Sequence, residues 1–322
     1  MKINKLSDNF TPIYEGIFFE IDTESDTPSE VVVEIIDAKS YEVIATQLLR
    51  GVISARVNIA PYLNRFGNYA PSTLRQTSIA EAPSATYKIR VNDIESEDIT
   101  VSVNRCRITA TPAIVTSFPF SRRVSYGERD ELLIVVDKGQ TIYAEVASDT
   151  GETLHLEYLS PSGIAILTLS PEDFKSEIGS LELTLYCNGK EFGTVRYSVK
   201  PQRRGATRLA WLSDCGTIER YTFPASQKRS YSAEKRTILT TEGVCSVQGH
   251  HKETISLASR FEPSATIAAM AQIASAPKVW LEQNGAAELV EVATSDIGYN
   301  IFGEPSQIVL NICRWQKEVA IW

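Results

Sequence analysis

Short runs of β-branched and aromatic residues, separated by Asp, Ser, Pro and Gly, recur through the first 200 residues of this 322-residue chain. Residues 30–37 and 141–147 are examples of such runs, which are typical of strands in antiparallel sheets. The runs fall into two successive sets. This spacing predicts a mainly β chain with two immunoglobulin-like β-sandwich domains, in residues 1–104 and 105–200.

A third unit is predicted in residues 201–322, after a short polar linker that contains Pro201 and Gly205. In residues 208–223, aromatic and aliphatic residues stand on both sides of a polar turn with Gly216, which predicts a hairpin. Apolar residues at helical spacing predict a helix over 264–276, with Ser264 as its cap.

Two further elements complete the predicted C-terminal module. Asn284-Gly285 predicts a hairpin over residues 278–292, because both turn positions need positive φ. The alternation of Ile308, Leu310 and Ile312 predicts a closing strand over 307–315. The polar arm 225–252 is either a hairpin or a segment that is ordered only by a partner.

Large aromatic residues of this module are the candidates for packing or for an interface. Such side chains dominate the energetics of cores and interfaces because they bury the most apolar surface. The candidates are Trp211, Tyr221, Phe223, Trp280 and Trp315.

Two long connections are candidates for contact with a neighbour. In the first, residues 58–84, a packed helix is predicted over 61–66, and 67–84 is the better contact candidate. The second, residues 117–131, places aromatic residues beside arginines, a composition that is favoured at interfaces and that also stacks on sugars. The alternative is that these side chains fix the loop to its own domain. The candidates are Tyr69, Phe118, Phe120, Arg122, Arg123 and Tyr126.

Charge is distributed unevenly, with net values of −6, −3 and +1 for residues 1–104, 105–200 and 201–322. An acidic unit and a basic strip suit head-to-tail assembly of identical copies. The alternative, which the sequence favours slightly, is a solvated surface of mixed charge. The overall acidity and the lack of a recognisable module disfavour nucleic-acid binding. Basic interface candidates are Arg203, Arg204, Arg208, Lys228 and Arg229.

The sequence carries no catalytic signature, and we expect neither an enzyme nor a bound cofactor or metal. A zinc site can be drawn from Cys215, Cys245, His250 and His251, but its spacing fits no standard pattern. The five cysteines include no C-x-x-C pair, which favours reduced thiols. The first residues lack the apolar region of a signal peptide and no run is long enough to span a bilayer, so we expect synthesis in the cytoplasm without membrane insertion.

The aromatic hairpin has the form W-L-x-x-x-G-x-x-x-x-Y-x-F from Trp211 to Phe223, and a P-x-V-W-L strand begins at Pro277. This order of hairpin, polar segment, short helix, strand and closing strand resembles the C-terminal module of tail structural proteins from phages and prophages of Bacteroidetes. The resemblance covers roughly the last third of the chain. It implies upstream β-sandwiches, location in the virion tail, and assembly with other copies and other tail proteins at the tail tip or baseplate, or as a tube-to-fibre adaptor.

A second hypothesis is a receptor-binding or carbohydrate-binding module that recognises the bacterial host surface through loops 67–84 and 117–131. The structural role is favoured because the aromatic residues are spread over three segments, whereas a sugar platform clusters them. Ordered self-assembly would support the structural role. A monomer or trimer that binds host-surface glycan would support the second hypothesis.

Overall fold

The structure, a computed structural model, describes the chain except for short gaps. The described residues are 1–63, 70–72, 76–82, 85–102, 108, 110–175, 177–224, 227–233, 236–247, 251–283, 285–299 and 304–315. They form two β-sandwiches followed by a β-rich module with a short α-helix. The predicted fold class is confirmed.

The first sandwich packs a three-stranded sheet, β1-β3-β6, against a sheet in the order β2-β10-β8-β4-β5, with β9 paired to β8. Alternate residues such as Val33 and Ile35 of β4 point into its core, opposite Phe19 of β3. Strand β5 is the edge of the larger sheet. The strands of this part of the chain are β1 (Lys2–Lys5), β2 (Thr11–Pro12), β3 (Phe18–Asp22), β4 (Ser29–Asp37), β5 (Val43–Val52), β6 (Ser54–Asn58), β7 (Ser78–Glu81), β8 (Ala85–Val91), β9 (Ile94–Glu95) and β10 (Ile99–Ser102).

The second sandwich packs a sheet in the order β11-β13-β16-β7 against one in the order β12-β18-β17-β14-β15. Its core includes Ile134, Leu167 and Leu183, which are fully buried. Its own strands are β11 (Ala113–Val115), β12 (Ser121–Ser125), β13 (Asp130–Val135), β14 (Gln140–Ser148), β15 (Thr153–Ser160), β16 (Ile164–Leu169), β17 (Ser180–Cys187) and β18 (Lys190–Lys200).

Two features of the second sandwich differ from the sequence prediction. Strand β7 was placed in a loop of the first domain, but it pairs with β16, and its Ile79 packs against the second core. The predicted contact region 67–84 is thus partly an edge strand of the next unit. Within the predicted loop 117–131, β12 pairs in parallel with β18. Both segments are short and polar, so only their distant partners make them strands.

The C-terminal module is a seven-stranded sheet, β20-β19-β25-β26-β27-β24-β21, with α1 packed on one face. Trp211 and Phe223 meet Ile267 and Met270 of the helix in the core. The predicted hairpins over 208–223 and 278–292 correspond to the pairs β19–β20 and β25–β26. The elements are β19 (Thr207–Leu212), β20 (Ile218–Phe223), β21 (Gln227–Ala233), β22 (Arg236–Thr240), β23 (Gly243–Val247), β24 (His251–Ala258), α1 (Ser264–Ala271), β25 (Val279–Gln283), β26 (Ala286–Val292) and β27 (Val309–Trp315).

The helix is shorter than predicted. It ends at Ala271, and a 3-10 turn follows over Gln272–Ala274. The residue at the cap position is Pro263 rather than Ser264, and no side chain caps the helix. Pro263 fixes the extended entry into the helix, so Ser264 already has helical geometry.

The arm 225–252 contains strands throughout its described part. Strand β21 pairs with β24 in the main sheet, and β22 pairs with β23 in a separate two-stranded sheet, which we call the ribbon. Tyr231, Ile238, Leu239 and Val244 are exposed along this arm. Within the part of the chain that the structure describes, the ribbon pairs with no other strand.

Candidate functional site

Eight charged residues form a buried network between the second sandwich and the C-terminal module. The second sandwich supplies residues of β12, of β13 and of the turn between them, and the module supplies residues of β19, β20 and β25. Most of these side chains are buried, and Glu282 is only slightly exposed. This arginine–carboxylate network consists of Arg122, Glu128, Asp130, Glu131, Arg208, Glu219, Arg220 and Glu282.

Glu282 of β25 links the two arginines of the neighbouring strands. Its Oε1 accepts a hydrogen bond from Arg220 Nε at 3.0 Å, and its Oε2 accepts one from Arg208 Nε at 3.2 Å. Arg220 Nη2 then reaches Glu131 across the boundary at 2.7 Å, and Arg208 Nη1 reaches Glu128 at 3.0 Å. Each of these arginines therefore connects a carboxylate of its own unit to one of the other unit.

Arg122 makes the reciprocal connection from the second sandwich. Its Nη1 donates to Asp130 Oδ2 at 2.7 Å and lies 3.7 Å from Oε2 of Glu219 in β20. The other oxygen of Glu219 accepts hydrogen bonds from Thr116 Oγ1 at 2.7 Å and from the backbone N–H of Ser117 at 2.9 Å. The loop before β12 is thus held to the module by backbone and side-chain groups together.

The ionisation of the network is set by competition between burial and opposite charge. Burial alone would raise the pKa of the Asp130 carboxyl, but Arg122 and Arg208 hold that pKa below its ordinary value. Burial acts on Glu282 in the same way, and Arg220 and Arg208 likewise hold its pKa below the ordinary value. Burial opposes the charge of Arg220, yet Glu131 and Glu282 raise the pKa of its guanidinium. Asp130, Glu282 and Arg220 are therefore charged at neutral pH.

Acid is expected to destabilise this boundary. The pKa values of Asp130 and Glu282 are lower in the folded chain than in the unfolded chain. Their ionised carboxylates therefore stabilise the fold at any pH above the unfolded pKa values, and this stabilisation is lost as the pH falls through the folded pKa values. We expect the melting temperature to fall steeply below about pH 4. Differential scanning calorimetry over a pH series measures this. The melting temperature of Glu282→Gln should fall less steeply with decreasing pH than that of the native chain. An equal pH dependence of the two melting temperatures would contradict the role of Glu282 in the acid destabilisation.

The structure changes the role of several predicted interface residues. Arg208 was expected on an exposed basic strip, but it is buried in the network, because two carboxylates surround it. Arg122 is also buried, and Phe118 packs against Trp211 with ring centroids 5.7 Å apart. These two loop residues therefore contact the module of their own chain.

The remaining loop candidates vary in exposure. Tyr126 exchanges hydrogen bonds with the backbone of Ile178, and its OH donates to that carbonyl oxygen at 3.1 Å. Arg123 pairs with Glu262 at 3.2 Å, and Phe120 is exposed. Tyr69 lies outside the described residues.

The basic and aromatic candidates of the module also separate by exposure. Arg203, Arg204, Lys228 and Arg229 are exposed, and Arg229 lies 3.6 Å from Glu253. Trp280 lies on the sheet face opposite to the main core, in a small cluster with Ala210, Leu212 and Ile218. Trp315 is the last residue of β27, and its side chain lies outside the described part of the chain.

The Tyr221 ring packs at the edge of Phe223, with centroids 4.9 Å apart. Its OH donates to Glu262 at 2.9 Å and accepts from the backbone N–H of Arg260 at 3.2 Å. Burial, followed by the Glu262 charge, raises the pKa of Tyr221, so the hydroxyl remains a donor at neutral pH. Tyr221 is therefore both a packing residue and a polar contact.

Two features bear on metal binding and membrane insertion. In the described ranges, no group of three or more His, Cys, Asp and Glu side chains is arranged to hold a metal ion. His250 and the side chain of His251, which belong to the zinc site drawn from the sequence, lie outside those ranges. None of the helices in the described part has the length and apolarity that crossing a bilayer requires.

The carboxylates of the network were not recognised from the sequence. Glu128, Asp130 and Glu131 closely follow the Arg122-Arg123 pair, and this density of opposite charges was the available signal. Their partners in β20 and β25 are far away in sequence, so spacing did not reveal the pairing. Chemically, the ion-paired groups of this network can hold the two units in a fixed orientation.

No family model matches the chain, and no curated protein matches it. Solved structures with some similarity include the native alpha-2-macroglobulin of E. coli, at 7% identity and a TM-score of 0.22, which aligns over 79% of this chain and 21% of that one. Domains 4–9 of the surface layer protein SbsC are 12% identical, with a TM-score of 0.24 and coverage of 80% and 44%. A marsupial T cell receptor is 10% identical, with a TM-score of 0.20 and coverage of 80% and 96%. The chain therefore spans less than half of the first two structures.

Proposed function

We propose that this chain is a non-enzymatic structural protein of a phage tail, which assembles in multiple copies at the tail tip or baseplate, or as a tube-to-fibre adaptor. The observation that carries the proposal is the ribbon, on which Leu239 is 83% exposed and Val244 is 71% exposed. A two-stranded hairpin without packing is marginally stable in water, and exposed apolar clusters mark interaction sites. The ribbon therefore fits an element that packs on a partner.

The proposed partner of the ribbon is the β5 edge of a second copy. Strand β5 ends the larger sheet of the first sandwich, and Val43, Ile44 and Leu48 on it are exposed. A long, exposed edge strand offers unpaired backbone groups to another strand, and alternate side chains then give specificity. Pairing of the ribbon with β5 would join the module of one copy to the first sandwich of the next.

The charge distribution favours the same head-to-tail arrangement. The first unit has a net charge of −6, whereas Arg203, Arg204, Lys228 and Arg229 lie exposed on the module. Opposite charges on the two ends accelerate association and oppose the head-to-head alternative. The arginine–carboxylate network supports this role, because it connects the ribbon-bearing module to the second sandwich through buried ion pairs.

Assembly should depend on the apolar side chains of the ribbon. We expect Leu239→Ser combined with Val244→Ser to weaken self-association at least about tenfold, equivalent to ~1.4 kcal/mol. Light scattering across a micromolar concentration series, with electron microscopy of the same samples, measures this. Leu159→Ser is the matched control, because Leu159 is a 58% exposed leucine on β15, a strand that belongs to neither of the two proposed surfaces.

The β5 surface has its own test. Leu48→Ser should weaken association to a similar extent. Combining it with the ribbon variant should weaken association little more, because both variants disrupt the same contact between the ribbon and β5. High salt should also weaken the assembly of the native chain, because it screens the attraction between opposite charges. Equal assembly of the native chain and the ribbon variant would overturn the proposal.

The alternative is a module that binds a receptor or carbohydrate on the bacterial host surface. Its loop candidates Phe118 and Tyr126 make contacts within the chain, which leaves Phe120 as the exposed aromatic side chain among those described. A native chain that stays monomeric and binds host polysaccharide would replace the structural proposal with this one.

A further inference from the structure

The ribbon presents two apolar side chains side by side on one face. Leu239 of β22 and Val244 of β23 are paired across the ribbon, so they share a face, and both are exposed. Glu242, in the turn between the two strands, is exposed and makes no ion pair with any residue that the structure describes. The ribbon therefore offers an apolar pair and, two residues before Val244, an unpaired negative charge.

The outer face of β5 offers the matching groups. Leu48 and its partner Val32 on β4 are both exposed, and together they form an apolar pair on that face. Arg50, two residues after Leu48, is exposed as well, and its Nε lies 3.4 Å from Glu30. A guanidinium has further N–H groups that can bind a second carboxylate, and an exposed pair such as Arg50–Glu30 contributes little to stability. Arg50 can therefore accept another acidic partner.

Strand β5 is regular in the stretch that lies beside these groups. Residues 45–49 pair with residues 35–31 of β4 without a bulge, so their side chains alternate strictly between the two faces of the sheet. Strand β23, Gly243–Val247, is also five residues long. The free edges of β5 and β23 can therefore pair over five consecutive residues.

We propose that β23 of one copy pairs with β5 of the next copy in antiparallel orientation, with Val244 opposite Leu48 and Glu242 opposite Arg50. This inference rests on the proposed assembly of the chain and specifies the contact that forms it. In this register the apolar pair of β4 and β5 and the apolar pair of the ribbon form one row across four strands. Arg50 meets an opposite charge beside that row. Cross-strand pairs of both kinds stabilise antiparallel sheets.

Other alignments of the two strands lose one of these contacts. A shift by one residue moves the Val244 side chain to the face opposite to that of Leu48. A shift by two residues separates Glu242 from Arg50. Parallel pairing of β23, or pairing through β22 instead, leaves Arg50 opposite an uncharged residue when an apolar residue is kept opposite Leu48. The proposed register is therefore the one that satisfies both the apolar and the charged positions.

Charge exchange between the two strands tests this register. We expect Arg50→Glu and Glu242→Arg each to weaken self-association about threefold to tenfold, because each places like charges opposite one another. The double variant should assemble like the native chain, since it restores an opposite-charge pair in reversed order. Light scattering across a micromolar concentration series measures these affinities. Arg196→Glu is the matched control, because Arg196 is an equally exposed arginine that pairs with Glu182 on another sheet, and it should leave association unchanged.

Cysteine cross-linking is a second, independent test. A copy with Leu48→Cys is mixed with a copy with Val244→Cys, both carrying Cys245→Ser, at a concentration at which they associate, and oxidised glutathione is added. We expect a disulfide between the two copies, because opposite residues of antiparallel strands lie about 4.5–5.5 Å apart, within the span of a disulfide. Leu239→Cys in place of Val244→Cys should give little cross-link, because Leu239 lies one strand further away, about 9–10 Å from Leu48.

The outcomes separate this inference from the tail proposal. A native chain that stays monomeric would overturn both. If assembly depends on the ribbon but charge exchange gives no rescue and the Leu48 and Val244 positions do not cross-link, the register is wrong and the tail proposal stands. A cross-link between the Leu48 and Leu239 positions would overturn the register as well, because it would identify β22 as the pairing strand.

Discussion

Arg220→Met is expected to lower the free energy of unfolding by about 3–5 kcal/mol, because it leaves two buried carboxylates without their shared cation. Glu131 and Glu282 both bind the Arg220 guanidinium, at 2.7 and 3.0 Å. Methionine keeps much of the side-chain volume, so the loss reports charge rather than a cavity. Chemical denaturation followed by circular dichroism and tryptophan fluorescence measures it.

Arg196→Met is the control for this prediction, because the Arg196–Glu182 pair is exposed and such pairs contribute about 0–1 kcal/mol. Adding Glu131→Gln to Arg220→Met should restore part of the stability, since it removes one of the two buried charges that lost their counter-ion. We also expect the unfolding transitions of the second sandwich and the C-terminal module to separate in Arg220→Met. A loss no larger than that of the control would show that the network does not hold the two units together.

Trp211→Ala is expected to be similarly severe, with a loss of about 3–5 kcal/mol. Trp211 is fully buried in the core of the module, and its ring also contacts Phe118 from the loop before β12. The substitution therefore opens a cavity in one core and removes a contact across the boundary. Thermal and chemical unfolding of the full chain measure both effects.

Two variants give this prediction its controls. Trp211→Phe should cost less, because it keeps most of the apolar ring and removes an indole N–H that has no hydrogen-bond partner among the described residues. Phe120→Ala should cost little, because Phe120 is an exposed aromatic residue of the same loop. If Trp211→Ala were as mild as Phe120→Ala, the core assignment would be wrong.

The local pattern of the sequence was sufficient to predict most strands and turns of the C-terminal module. Leu310 and Ile312 alternate in β27 and are buried as that alternation predicts. Gly216 and Gly285 adopt positive φ in the turns of the two predicted hairpins. Turn chemistry and period-two alternation act over a few residues, so a single sequence contains this information.

Only some residues of the candidate site could be recognised from the sequence. Arg122, Arg208 and Phe118 were recognised as contact residues, but their partner was expected to be another molecule. A charged residue in a sequence indicates a solvated surface unless its counter-ion is known. Here the counter-ions, such as Glu282 for Arg208, lie on strands that only the fold brings together.

The sequence by itself determined that the chain is mainly β and that a helix interrupts the last sheet. It also determined where apolar and polar residues alternate in most strands and where most of the turns lie. Only the tertiary structure decided that β7 joins the second sandwich and that β12 pairs in parallel with β18. It also decided that Arg220 meets Glu131 across the boundary between two units. The physical reason is range: strand and turn preferences depend on neighbouring residues, whereas edge pairing and buried ion pairs depend on groups that come together only when the units dock.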